Sequence, residues 1–140
     1  MSRVFWDTNL YIYLFEDYGP LSKRTVAIRK AMLSRGDELL TSTLTLGEAL
    51  VKPMEQGRDD VSKSYEQAIR KTSTLIAFDD HAARVYSSLR RDRSLRVADA
   101  IQLSCAAAAA VDLFITNDLR LAGKQVSGIQ FIVPLDRAPL

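Results

Sequence analysis

The stretch Val4-Phe5-Trp6-Asp7-Thr8-Asn9, VFWDTN at positions 4–9, runs three large apolar residues straight into an acid, then turns polar before a second apolar run, LYIYLF at 10–15. Apolar residues without alternation suit a strand buried on both faces, as in a parallel sheet. Four further short runs have the same character: Leu39–Ser42, Leu75–Phe78, Leu113–Thr116 and Phe131–Val133. Helical periodicity fills the intervals, over Thr8–Glu16, Leu21–Ser34, Thr45–Gln56, Val61–Thr72, Asp79–Arg91 and Ala98–Ala110. Strands alternating with helices predict an α/β chain folded as a three-layer α/β/α sandwich.

Chain breakers fall between these segments. Gly19-Pro20 separates the first two helices, Gly36-Asp37 precedes the second strand, and Gly57-Arg58-Asp59-Asp60 is a polar turn. Pro53 lies within the third helical pattern, where its ring and missing N–H predict a stop or kink near Lys52.

The 140 residues fit one domain, 1–140, able to bury a core without disulfides. A hydrophobic share of 47% with 26% charge matches a globular chain, and no apolar run reaches the roughly 20 residues that span a bilayer. The start lacks a secretory signal pattern, so the cytoplasm is the expected compartment and no membrane partner is expected. Cys105, the single cysteine, reads as a small packing residue, and a single histidine, His81, excludes a Cys/His zinc site. The net charge of +2 hides a local cluster: Arg84, Arg90, Arg91, Arg93 and Arg96 lie within positions 84–96. Such a cluster suits a polyanionic partner. The plain alternative is a solvated face with Asp92 as a counter-charge.

Four acids share one kind of place in this pattern. Asp7 follows the first strand, Glu48 lies just inside the helix after the second, Asp99 opens the alanine-rich helix, and Asp118 follows the fourth strand. In a parallel sheet the strand ends and following helix starts share one edge, the crevice where open α/β sheets hold ligands, which gathers Asp7, Glu48 and Asp118; Asp99 joins them on the further assumption that its helix also starts there. Each acid also has a structural explanation. Asp7 and Asp118 can cap the following turn, Thr45 and Glu48 have capping-box spacing, and Asp99 sits where a helix dipole favours negative charge. Together they differ, because two carboxylates about 4 Å apart repel by roughly 4 kcal/mol at an effective dielectric near 20. Either proton affinities rise or a cation sits among them. Oxygen-only ligands select a hard ion such as Mg²⁺. An acidic metal crevice beside arginines points to phosphodiester hydrolysis.

The segments VFWDTN at 4–9, TSTLTLGE at 41–48, RVADAIQLSCAAAA at 96–109 and LFITND at 113–118 also resemble, in order and spacing, the four acidic motifs of PIN-domain ribonucleases. The chain's size is similar to that of the VapC-type toxins of toxin–antitoxin pairs. The resemblance implies a five-stranded parallel sheet with strands one and four adjacent at its centre. It implies that Asp7, Glu48, Asp99 and Asp118 form a Mg²⁺ or Mn²⁺ site, with Asp7 and Asp99 the foremost direct ligands. Thr8, Asn9 and Thr116 would orient those carboxylates or the attacking water. It further implies an RNA substrate, a homodimer, and an antitoxin whose C-terminal segment covers the crevice.

The expected function is thus a metal-dependent endoribonuclease, the toxin of a type II module, with Arg90, Arg91, Arg93 and Arg96 as RNA phosphate contacts. The alternative is a non-catalytic RNA- or protein-binding regulatory module on the same fold, its acids serving as caps. A phosphatase or phosphotransferase is disfavoured, since no DxD pair follows the first strand and no P-loop is present.

Overall fold

The computed structural model describes all 140 residues. Five strands form one parallel sheet: β1 (Arg3–Trp6), β2 (Glu38–Ser42), β3 (Thr74–Ile76), β4 (Val111–Thr116) and β5 (Ile129–Pro134), in the order β3-β2-β1-β4-β5. Six helices connect them: α1 (Thr8–Phe15), α2 (Pro20–Arg35), α3 (Thr43–Glu55), α4 (Asp59–Thr72), α5 (Asp80–Leu89) and α6 (Val97–Ala108). No helix is long and apolar enough to cross a membrane.

The period of two along each strand divides the core. Val4 and Trp6 of β1, Leu39 of β2, and Leu113 and Ile115 of β4 point to one face, where Leu10, Tyr11, Ile28, Met32, Ala49 and Ile69 from α1–α4 cover them. Phe5, Leu40 and Phe114 point to the other, beneath Ala82 of α5 and Leu103, Cys105 and Ala106 of α6. Phe5 and Phe114 stack there at 5.2 Å between ring centroids. Helices on both faces leave the central strands no wet side, which is why VFW carries no polar alternation.

Several boundaries differ from the sequence expectation. β3 ends at Ile76, two residues early, and β5 extends three residues further in total, over Ile129–Pro134. α6 stops at Ala108, because Ala110 takes a left-handed conformation, φ 55°, that turns the chain into β4. The third helix neither starts at Thr45 nor stops near Lys52. Ser42 caps it, it begins at Thr43, and it runs through Pro53 to Glu55. Pro53 lies in its final turn, so only the bond to the Ala49 carbonyl is forfeited, and the ring is buried. Gly128 has an absolute steric requirement: at φ +98° a Cβ would stand 2.6 Å from the Ala107 carbonyl oxygen, where the chain entering β5 passes the end of α6.

Candidate active site

From central β1 the strand order runs outward in both directions, β2 then β3 on one side and β4 then β5 on the other. The switch point lies at the carboxyl ends of β1 and β4. Trp6 is in register with Ile115, and the Asp7 amide donates to the Ile115 carbonyl at 3.0 Å. Asp7 therefore emerges beside Thr116. The Thr116 hydroxyl donates to Asp7 Oδ2 at 2.7 Å and accepts the Asp118 amide at 3.0 Å. Asp7 Oδ1 accepts the Thr8 amide at 2.9 Å, which caps α1. Both Asp7 oxygens thus accept a hydrogen bond, one of them capping α1, and the residue also lines the cleft.

Glu48 has no capping role. Helix α3 begins two residues ahead of Thr45, and the Thr45 amide bonds to Ser42 Oγ, so the suggested capping box does not form. Glu48 instead reaches across to α1, where its Oε1 accepts the Thr8 hydroxyl at 2.6 Å. Asp99 lies in the first turn of α6. Asp118 starts a turn, its Oδ1 accepting the Arg120 amide at 3.0 Å. The Arg120 guanidinium grips the same carboxylate in bidentate fashion, Nε–Oδ1 2.9 Å and Nη2–Oδ2 2.6 Å.

All four acids line one cleft, together with Thr8, Asn9, Gln102 and the arginines Arg96 and Arg120. Asn9 Oδ1 lies 3.4 Å from the Asn117 amide, a long contact that ties α1 to the end of β4. The rest of the arginine cluster is elsewhere: Arg91 and Arg93 are exposed outside the cleft, and Arg90 Nη1 donates to the Leu95 carbonyl at 2.6 Å within its own loop. Sequence reading missed Arg120 and Gln102. A polar residue three positions after Asp99, within an otherwise apolar helix face, was the available signal for Gln102.

The electrostatics are those of a partly compensated acid cluster. Burial pushes the Asp7 carboxyl up to about 6 against the hydrogen bonds from Thr116 and Thr8, and the charges of Asp99 and Glu48 push the same way. Asp99 is raised by burial and by the Asp118 charge. Asp118 is lowered, first by its bond from Arg120. No three Asp, Glu, His or Cys side chains converge tightly enough to enclose one ion. The donor set nevertheless fits a hydrated hard cation, since Mg²⁺ commonly takes one or two carboxylates and completes its shell with water and phosphate oxygens. The repulsion felt by Asp7 and Asp99 is the charge imbalance that such an ion offsets.

A family model described as the PIN domain matches residues 4–125. No curated protein matches at the level of sequence. Among solved structures, the fold is similar to that of VapBC2 from Rickettsia felis bound to a promoter DNA fragment, with TM-score 0.74, 14% identity, and 94% of this chain and 98% of that one covered. A DNA-bound VapBC from Salmonella typhimurium superposes with TM-score 0.75 at 16% identity, over 96% and 99% of the two chains. VapC20 from Mycobacterium tuberculosis, a sarcin-ricin loop cleaving toxin, gives 0.64 at 13% identity over 87% and 96%. With the family model spanning both ends of the site, from the Asp7 strand to beyond Asp118, the chain belongs to the PIN-domain family.

Proposed function

We propose that this protein is a divalent-metal-dependent endoribonuclease and the toxin of a type II toxin–antitoxin pair, acting in the cytoplasm. The observation that carries this reading is the convergence of Asp7, Glu48, Asp99 and Asp118 on one cleft at the sheet's switch point, with Arg96 and Arg120 on its rim. Acids alone would repel a polyanion; acids with an ion and flanking arginines accept one.

Asp7 and Asp99 would hold Mg²⁺ or Mn²⁺ with help from Glu48 and Asp118, and the ion when bound supplies an activated water and offsets charge building at phosphorus. Thr116 orients the Asp7 carboxylate by donating to one of its oxygens, and Thr8 does the same for Glu48. Asn9 steadies the α1 start against the β4 end. Arg96, together with Arg91 and Arg93 on the adjoining loop, contacts RNA phosphates while Arg90 braces that loop. The VapBC neighbours support a cognate antitoxin as the partner; the proposed assembly is a homodimer. Cap formation by Asp7 is the one observation that favours a non-catalytic binding module, and it involves a single oxygen.

Purified protein with Mg²⁺ or Mn²⁺ should cleave RNA and Asp7→Asn should not, with expression of the natural sequence arresting cell growth and that of the variant leaving it unaffected. Absence of cleavage, joined to equal harmlessness of both proteins in cells, would retire the proposal. Calorimetric titration with Mn²⁺ tests the binding-module reading, which requires that no metal binding depend on Asp7 or Asp99.

A further inference from the structure

Beneath the cleft lies a hydrogen-bond network that links Gln102 to Thr8 and, through it, to Glu48. Gln102 of α6 is 1% exposed, and Ser42, Thr41 and Thr45 are fully buried around it. Its Nε2 reaches Thr8 Oγ1 at 3.0 Å and Thr45 Oγ1 at 2.8 Å, while its Oε1 faces Ser42 Oγ at short range. Each hydroxyl has one hydrogen to give. The Thr41 hydroxyl has two acceptors for its hydrogen, the Trp6 carbonyl at 2.9 Å and Thr45 Oγ1 at 2.8 Å. Ser42 gives its hydrogen to Gln102 Oε1 and accepts the Thr45 amide. Both Gln102 N–H groups are then donors, to Thr45 and to Thr8, and the Thr8 hydrogen has Glu48 Oε1 at 2.6 Å as its nearer acceptor and Thr45 Oγ1 at 3.2 Å as the more distant one.

The opposite amide orientation breaks this pattern. With Oε1 turned toward Thr8, the Thr8 hydrogen would be drawn to Gln102 and away from Glu48. Ser42 fixes the orientation by having no other acceptor in reach, and burial makes a mispaired amide costly. From this geometry we infer that Gln102 is a positioning residue: it holds Thr8 as an acceptor from below and thereby commits the Thr8 hydroxyl to the Glu48 carboxylate. The role assigned to Glu48 in catalysis rests on the proposed nuclease function, whereas the positioning itself is a property of the metal-free protein.

Two measurements test it. In metal-free protein, the side-chain carboxylate carbon-13 resonance of Glu48 should move in Thr8→Val and move in the same direction in Gln102→Met. Gln102→Asn, one methylene shorter, serves if the Met variant does not fold. A Glu48 resonance unmoved by a folded Gln102 variant overturns the inference. In RNA cleavage and Mn²⁺ titration, Gln102→Met and Thr8→Val should each lose about 10-fold to 100-fold, as groups that orient metal ligands do, and the double variant should lose no more than the worse single. Losses that multiply in the double variant show that the residues act separately and overturn it too. If the Glu48 resonance responds as expected but the natural protein neither binds Mn²⁺ nor cleaves RNA, the nuclease proposal fails and the positioning role stands.

Discussion

Replacing Asp7 by Asn should stabilise this protein at neutral pH, and the gain should vanish in acid. The Asp7 carboxyl is 8% exposed and its proton affinity is raised from 3.8 to about 6, chiefly by burial. A carboxyl raised in the folded state binds protons there more tightly than in the unfolded chain. Between these two values the folded state holds the extra proton, so stability falls as pH rises toward about 6 and the full cost persists above it. At about 1.4 kcal/mol for each tenfold change in proton affinity, that cost is about 3 kcal/mol in metal-free protein above pH 7. Asn removes the charge and can still accept the Thr8 amide, but it misplaces the hydrogen from Thr116, a loss of about 1 kcal/mol. The net expectation is a gain of about 1–2 kcal/mol above pH 7, falling to zero or slightly below near pH 4. Urea denaturation in EDTA across pH 4–8 measures it, and Mn²⁺ above pH 7 should reverse the ranking by binding only the Asp7 protein. A variant less stable than the natural protein above pH 7, or a difference that ignores pH, would refute the account of Asp7 as a buried, undercompensated charge.

Thr116→Val removes the donor to Asp7 and the acceptor of the Asp118 amide, both at a fully buried position, and should cost about 1–3 kcal/mol in urea denaturation. Cleavage should fall about 10-fold to 100-fold in the same variant. Arg120→Ala releases Asp118 from an exposed pair of the kind worth about 0.2–1 kcal/mol, so calorimetry should show Mn²⁺ binding tighter by a factor of about 1.5–5. Gly128→Ala drives a methyl into the Ala107 carbonyl at a positive φ and should lower stability by more than about 1 kcal/mol, while Gly36→Ala, also at positive φ but with open space around it, should cost only about 1 kcal/mol, both read from thermal melts.

VFW followed by Asp was sufficient to place an acid at the end of a strand buried on both faces, because side-chain period and flanking helical pattern are local properties of the chain. The same reasoning located Glu48 and Asp118 at the one edge where the cleft is found, whereas Asp99 required the further assumption that its helix starts at that edge, as it does. The neighbouring placement of β1 and β4 followed from motif resemblance, since no local pattern encodes which strands pair. Helix limits were less legible. The Thr45–Glu48 spacing suggested a cap that Ser42 supplies two residues earlier, and Pro53 suggested a stop that its place in a final turn made unnecessary. Arg90 looked equivalent to its neighbours in the cluster until its bond to Leu95 distinguished it.

What the sequence by itself determined is the layered α/β architecture and the set of acids at its carboxyl edge, both products of short-range periodicity and of strands that all run one way. Only the tertiary structure decided how those acids are held: Thr116 on Asp7, Arg120 on Asp118, Gln102 through Thr8 on Glu48. It also decided that Asp7 binds its proton more tightly than Asp118 does. The physical reason is that desolvation and hydrogen-bond direction depend on which groups meet in space. Thr116 and Asp7 meet across 109 positions of chain, and Gln102 and Thr8 across 94.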